Sequence, residues 1–193
     1  MSHYCLVVDL DLCTGCMSCE ISCKQENDVA LGQYWNKVLR IGQGDTTDTF
    51  KQYWVPTMCQ QCQDAPCVNV CPTGASYRNE DNMVLINKEK CIGCRYCMMA
   101  CPYGVRSWNE SQKCVEKCTM CNQLTSAGEE PACVKNCSSK CRFYGDLDDP
   151  NSSVSKKLAS VNPKDIHELK NVGNNPSTKY ILSSNVGAWE MGD

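Results

Sequence analysis

Hydrophobic positions in this chain of 193 residues are sparse and come in short bursts between polar stretches. Residues 32–58 hold Tyr34, Trp35, Tyr53 and Trp54. They read as a strand-bearing insertion whose aromatic rings serve packing rather than ligand stacking. Asp149-Pro150 followed by Ser152 to Leu158 predicts a capped helix start with proline in its first turn. Beyond Asn162 the chain is polar, with a turn at Gly173-Asn174-Asn175-Pro176 and a short strand at Tyr180-Ile181-Leu182. Such a tail lacks the apolar surface for a core of its own and is expected to be ordered by a partner. No apolar run approaches the ~20 residues of a membrane span. The stretch Met1 to Asp9 has neither the basic nor the long apolar region of an export signal.

Composition changes the picture. Leu, Ile, Val and Phe together make about 18% of the chain, below the ~20% at which an ordinary apolar core becomes doubtful. The net charge of -3 gives no reason for repulsion-driven disorder, and basic residues do not cluster as nucleic-acid binding requires. The 19 cysteines are the only residues plentiful enough to hold the chain together otherwise. Other chemistry is thin. His3 and His167 are isolated, Gly42-x-Gly44 is too weak for a nucleotide loop, and no acid–base pair or nucleophile constellation stands out. An ordinary hydrophobic-core enzyme is therefore not expected.

Sixteen of the cysteines fall into four runs: Cys13, Cys16, Cys19, Cys23; Cys59, Cys62, Cys67, Cys71; Cys91, Cys94, Cys97, Cys101; and Cys118, Cys121, Cys133, Cys137. Runs one and three read C-x2-C-x2-C-x3-C, and Pro102 closes run three as in bacterial ferredoxins. Runs two and four read C-x2-C, a gap, then C-x3-C. The segment from Leu6 to Cys16 recurs as Val84 to Cys94, and all four cysteines of run one match run three at a constant offset of 78. Cys5, Cys114 and Cys141 stand outside the runs and read as small packing residues.

This spacing calls for iron and sulfur. A C-x2-C-x2-C loop wraps three thiolates around one cuboidal cluster, and the fourth cysteine starts a short helix and reaches a neighbouring cluster. Gly15 and Gly93 stand where such a loop turns tightly and needs positive φ. Disulfides would fit neither the ferredoxin spacing nor the odd count. Zinc favours closed tetrahedra built from two C-x2-C pairs, and three successive cysteines are awkward for it. Lys24, Arg95 and Lys117 lie beside ligand positions and read as solvated cations, with the alternative that they favour a reduced, more negative cluster.

These runs, with Asp64-Ala65-Pro66-Cys67-Val68, Cys71-Pro72-Thr73-Gly74-Ala75, Ala100-Cys101-Pro102-Tyr103-Gly104-Val105, Lys117-Cys118-Thr119-Met120-Cys121 and Tyr144-Gly145-Asp146-Leu147-Asp148-Asp149-Pro150, carry a resemblance over about residues 4 to 158. The chain resembles the four-cluster [4Fe–4S] ferredoxin-type electron-transfer subunit of molybdopterin oxidoreductases, the dimethyl sulfoxide reductase family in the broad sense. The resemblance implies an α+β fold of two pseudo-symmetric ferredoxin-like modules. The outer one comprises 1–31 with 110–158, the inner one 32–109 with the insertion, and 159–193 is a docking tail.

It implies four [4Fe–4S] clusters and a ligand map. Cluster one takes Cys13, Cys16, Cys19 and Cys137; cluster two takes Cys23, Cys118, Cys121 and Cys133. Cluster three takes Cys59, Cys62, Cys67 and Cys101; cluster four takes Cys71, Cys91, Cys94 and Cys97. Run four departs from the pattern: Ser138 replaces the usual proline and Cys141 follows, so Cys141 competes with Cys137 and Cys114 with Cys118. The implied role is electron relay without catalysis of its own. The implied partner is a large molybdopterin (Mo or W) subunit, and whether a membrane anchor or quinone-linked subunit joins it stays open. The partner's substrate stays open between oxyanions and, from Pro102 to Glu110, catechol-type compounds of transhydroxylase-like enzymes. A free-standing polyferredoxin and a zinc-stabilised module are the rival readings. Compartment stays open too, because a folded subunit can be exported with a signal-bearing partner.

Overall fold

A computed structural model describes residues 2–42 and 51–191. Part of the insertion and Gly44 therefore lie outside the described residues. The central sheet is built on β1 (Tyr4–Asp9), whose Cys5 to Asp9 are all buried. The reason is the alternation of a strand buried on both faces. Leu6 and Val8 face the main core, while Cys5 and Val7 pack with Val154 and Ile181 in a second cluster. Cys5 is thus a packing residue, as its lack of ligand spacing suggests.

Three hairpins follow. β2 (Asn36–Ile41) pairs with β3 (Tyr53–Met58), β4 (Ser76–Arg78) with β5 (Val84–Ile86), and β6 (Ser107–Asn109) with β7 (Cys114–Glu116), all antiparallel. β8 (Arg142–Asp146) then returns to pair antiparallel with β1. The strand before run one thus pairs with the strand after run four, and the strand before run three pairs with the strand after run two.

Helices are short and sit on the cysteine runs: α1 (Ser18–Glu26), α2 (Pro66–Asn69), α3 (Tyr96–Met99), α4 (Asn122–Thr125) and α5 (Ala132–Lys135). Each of α1, α2, α3 and α5 holds the third cysteine of its run, and the fourth lies one helical turn on. The helix therefore begins earlier than the sequence suggests. Its first turn is forced by the left-handed residue before it: Met17 and Arg95, both at φ 62, precede α1 and α3. α6 (Ser153–Ala159) is capped by the Ser152 hydroxyl, which accepts from the Ser155 amide at 3.2 Å. Pro150 lies ahead of that cap, not in the first turn, because Ser152 takes the N-cap position.

The segment after Leu158 corrects the expectation of a partner-ordered tail. β9 (Ile166–His167) and β10 (Lys179–Ile181) complete the central sheet, with β10 parallel to β1. Tyr180 is completely buried; its hydroxyl donates to the Pro56 carbonyl and accepts from the Gln60 amide. Its ring lies 5.5 Å from that of Trp189, which stacks on His167. The Tyr53 hydroxyl donates to the Ala188 carbonyl at 2.9 Å. The tail has no core of its own, but it joins the core of this chain.

Substituting Tyr180→Ala is expected to cost about 3–5 kcal/mol, as large aromatic truncations do, and Tyr180→Phe about 1 kcal/mol for the lost hydroxyl contacts. Anaerobic urea unfolding followed by circular dichroism measures both. An alanine variant as stable as the parent would mean that the tail contributes nothing to the fold.

Candidate iron–sulfur centres

Glycine and tryptophan shape the first and third runs alike. Gly15 has φ +66 and a Cβ built there would meet the Trp54 ring at 2.3 Å; Gly93 has φ +72 and would meet Trp108 at 2.9 Å. Each tight turn is therefore roofed by an indole, on β3 and β6 respectively. Side chains are excluded by both backbone conformation and contact. The Arg95 guanidinium lies 4.2 Å over the Trp108 ring.

The helical turn between third and fourth cysteines parts them between neighbouring recesses. One recess of ≈ 280 Å³ is lined by Cys13, Cys16, Cys19, Cys137 and Cys141. Another of ≈ 320 Å³ is lined by Cys59, Cys62, Cys67 and Cys101. A third of ≈ 340 Å³ is lined by Cys71, Cys91, Cys94 and Cys97. The remaining run cysteines, Cys23, Cys118, Cys121 and Cys133, face one another in the buried core. Asn27 ties them, its amide 3.5 Å from the Cys121 sulfur and 3.9 Å from that of Cys23. Each set combines two runs: runs one and four, from opposite ends of the cysteine-bearing region, or the consecutive runs two and three. Cys118 lies beside Cys59, which puts the buried set next to the Cys59 set.

Electrostatics differ along the row. Cys16 is exposed, and the Ser138 hydroxyl, 3.0 Å from its sulfur, holds its thiol down at about 7. The Cys13 thiol is held below its ordinary range, chiefly by a hydrogen bond from Cys141. Burial pushes Cys118 up to about 12 and Cys62 up to about 11; the Asn174 amide, 3.0 Å from the Cys62 sulfur, opposes the latter. Thiols so raised enter as thiolates only when metal displaces their protons.

Two arginines outside the sequence-derived residues stand among these sulfurs. Arg106, 5% exposed, has Nη2 2.7 Å from the Cys67 sulfur and lines both the Cys59 and the Cys91 recess. Arg142, 3% exposed, faces Cys19 and Cys133. A signal for them exists: each stands five residues after the last cysteine of its run. Lys117 is buried and donates to the carbonyls of Val84 and Cys118. Lys24, by contrast, donates to the Ala30 and Gln33 carbonyls and lies 4.6 Å over Tyr34, so it clamps a loop.

Cys114 lies buried on β7, outside the recesses. Cys141 is not the plain packing residue its position suggests. Its sulfur lies 3.4 Å from that of Cys137, in the first recess. A turn closed by the Lys140 amide on the Cys137 carbonyl at 3.2 Å brings this fifth thiol in.

The donor set fits iron–sulfur clusters. Thiols are soft ligands that suit iron–sulfur clusters. Buried N–H groups on Arg106 Nη1, Arg142 Nε and Nη2, Asn36 Nδ2 and Gln61 Nε2 have no acceptor among the described residues. Buried donors without partners are costly, and inorganic sulfide beside them would satisfy them.

Comparison with known proteins agrees. Residues 50–147 match the family model of the 4Fe-4S dicluster domain and residues 10–33 that of the 4Fe-4S binding domain. A Halobacterium salinarum protein named as an iron-sulfur subunit of dimethyl sulfoxide reductase is 44% identical over 94% of this chain and 79% of its own length. The arsenate respiratory reductase iron-sulfur subunit of a Shewanella strain is 34% identical over 94% of this chain and 97% of its own. A polysulfide reductase chain of Wolinella succinogenes is 42% identical over 81% and 83%. With its thiol sets, its roofed glycine turns and this breadth of similarity, the chain belongs to the [4Fe–4S] dicluster family of iron–sulfur electron-transfer subunits of molybdopterin oxidoreductases.

Proposed function

We propose that this chain relays electrons between a molybdopterin-bearing catalytic subunit and a donor or acceptor that includes a membrane anchor or quinone-linked subunit. The observation that carries the reading is the row of four thiol sets, each drawn from two runs. In this reading Cys13, Cys16, Cys19 and Cys137 hold cluster one, and Cys23, Cys118, Cys121 and Cys133 hold cluster two. Cys59, Cys62, Cys67 and Cys101 hold cluster three, and Cys71, Cys91, Cys94 and Cys97 hold cluster four. When bound, the clusters supply one-electron centres close enough for tunnelling.

The chain's own contribution is position and environment. The C-x3-C turns hold neighbouring thiols in fixed relation, the Trp54 and Trp108 rings cover the glycine turns, and the Asn27 and Asn174 amides point at ligand sulfurs. The matched strand pairings and the common φ of Met17 and Arg95 support two related modules, 1–31 with 110–158 and 32–109. The outward face of 159–193 is the docking surface in this reading, its inward face being engaged with the core. The names of the relatives favour an oxyanion, sulfoxide or polysulfide reductase as partner. The alternative, a catechol dehydroxylase or transhydroxylase-like enzyme, rests on the segment Pro102 to Glu110.

Anaerobic purification with the native partner tests this. The expected product is brown, holds iron and acid-labile sulfide for four [4Fe–4S] clusters, and brings a molybdenum- or tungsten-bearing subunit with it. Zinc in place of iron, or no large partner, overturns the reading. In the same preparation Cys137→Ala is expected to lose one cluster while Cys141→Ala and Cys114→Ala keep all four; the reverse at 137 and 141 would make Cys141 the ligand.

Gly15→Ala should likewise cost about one quarter of the iron, because the added Cβ strikes Trp54. Gly74→Ala, also at positive φ but with nothing within 4 Å of its Cβ, is the control for backbone strain alone. Iron per chain measures both, and equal losses would remove the indole roof as the cause.

A further inference from the structure

We propose that Arg142, Lys117 and Arg106 form a file of fixed buried cations, one at each gap between neighbouring clusters, that raises the reduction potentials of the clusters it faces. The inference rests on the four-cluster reading above and adds to it the charges between the clusters.

The placement is consistent at all three gaps. Arg142 lines the first recess and faces Cys19 of cluster one and Cys133 of cluster two. Lys117 Nζ donates to the carbonyl of Cys118, a ligand of cluster two, and to that of Val84, which lines the recess of cluster three. Arg106 lines the recesses of clusters three and four and contacts Cys67 and Cys97. All three are at most 5% exposed. None forms an ion pair with a carboxylate among the described residues. Arg142 keeps one side-chain bond, to Asn36 Oδ1 at 3.4 Å, and leaves Nε and Nη2 unpaired. A buried, unpaired cation is heavily penalised. Three of them in one small protein demand anions of comparable burial, and thiolate-ligated clusters beside them are the groups available.

The distribution has a consequence for electron flow. Of these three buried cations, two lie beside each of clusters two and three and one beside each of clusters one and four, where the further cation lining the cluster-four recess, Arg95, is exposed to solvent. The middle of the row is also the most enclosed: Cys118 and Cys133 are buried, whereas Cys16 and Cys94 are exposed. Burial disfavours the more negative, reduced form of a group. A second cation beside the enclosed clusters offsets that penalty. In each step one electron leaves one cluster as the next gains it, and the cations neither move nor change charge.

EPR-monitored redox titration of the purified complex tests the proposal, with iron and sulfide content measured on every sample. Lys117→Met is expected to lower the reduced-to-oxidised ratio of clusters two and three at least tenfold at fixed potential, a downward shift of about 59 mV for a one-electron couple. Clusters one and four should stay near their parent values, and Lys117→Arg should restore the parent potentials. Arg106→Gln should shift clusters three and four, with recovery in Arg106→Lys. Unchanged potentials in a Lys117→Met protein that retains all four clusters would overturn the proposal. So would an equal shift at all four, or failure of the charge-conserving variants to restore. If Lys117→Met or Arg106→Gln loses iron, the test passes to the charge-conserving variants: parent potentials in both Lys117→Arg and Arg106→Lys support the file, and a shift in either overturns it. Parent complex without iron and sulfide for four clusters would instead sink the four-cluster reading itself.

Discussion

A helical turn separates the third and fourth cysteines of every run, and that short rigid step is the constraint on which the molecule depends. Residues four apart on a helical turn project to one side, about 6 Å apart along the axis, and here they open into neighbouring thiol sets. Each run is therefore divided between two recesses, and each recess needs a second run from elsewhere in the chain. Cys19 and Cys23 part in this way, and Cys133 and Cys137 part in the opposite sense. The pairing of β1 with β8 and of β4 with β5 follows from it, because those strands hold the ends of runs that must meet.

Once the runs meet, electrostatics governs what the interior tolerates. Raised thiols at Cys62 and Cys118, unpaired guanidinium N–H groups at Arg106 and Arg142, and an ammonium buried at Lys117 would each be a liability in an aliphatic core. Together they describe an interior shaped around multiply charged inorganic groups. Sparse aliphatic content is then no defect: β1, the β2–β3 hairpin and Tyr180 supply a modest apolar core, and the cluster ligands supply the cross-links between distant segments. Binding free energy at such sites is folding free energy, which is how a chain poor in Leu, Ile, Val and Phe holds a defined structure.

The relatives belong to reductases of dimethyl sulfoxide, arsenate and polysulfide by name, so similar electron-transfer subunits work beside catalytic subunits of different specificity. This division of labour matches the structure: what the chain positions is thiols and charge. Beside the four thiol sets stand the five-thiol recess around Cys141 and the three buried cations.

The cysteine runs, their iron–sulfur chemistry and the glycine turns were legible in the sequence because they are local: spacing of two or three residues and a single φ decide them. The helix up to Leu158 and the strand at Tyr180 were legible for the same reason, but the helix's cap was not: Ser152 takes it, behind the Pro150 expected in the first turn. The fate of the tail was not, since a polar stretch joins a core only when a distant strand, here β1, offers an edge. Nor were Arg106, Arg142 and the burial of Lys117, whose meaning lies in which sulfurs surround them. Cys141 read as packing because sequence distance hides that the chain after Cys137 folds back into the recess. Short-range geometry is written in neighbouring residues; the environment of a charge is set by segments that meet only in three dimensions.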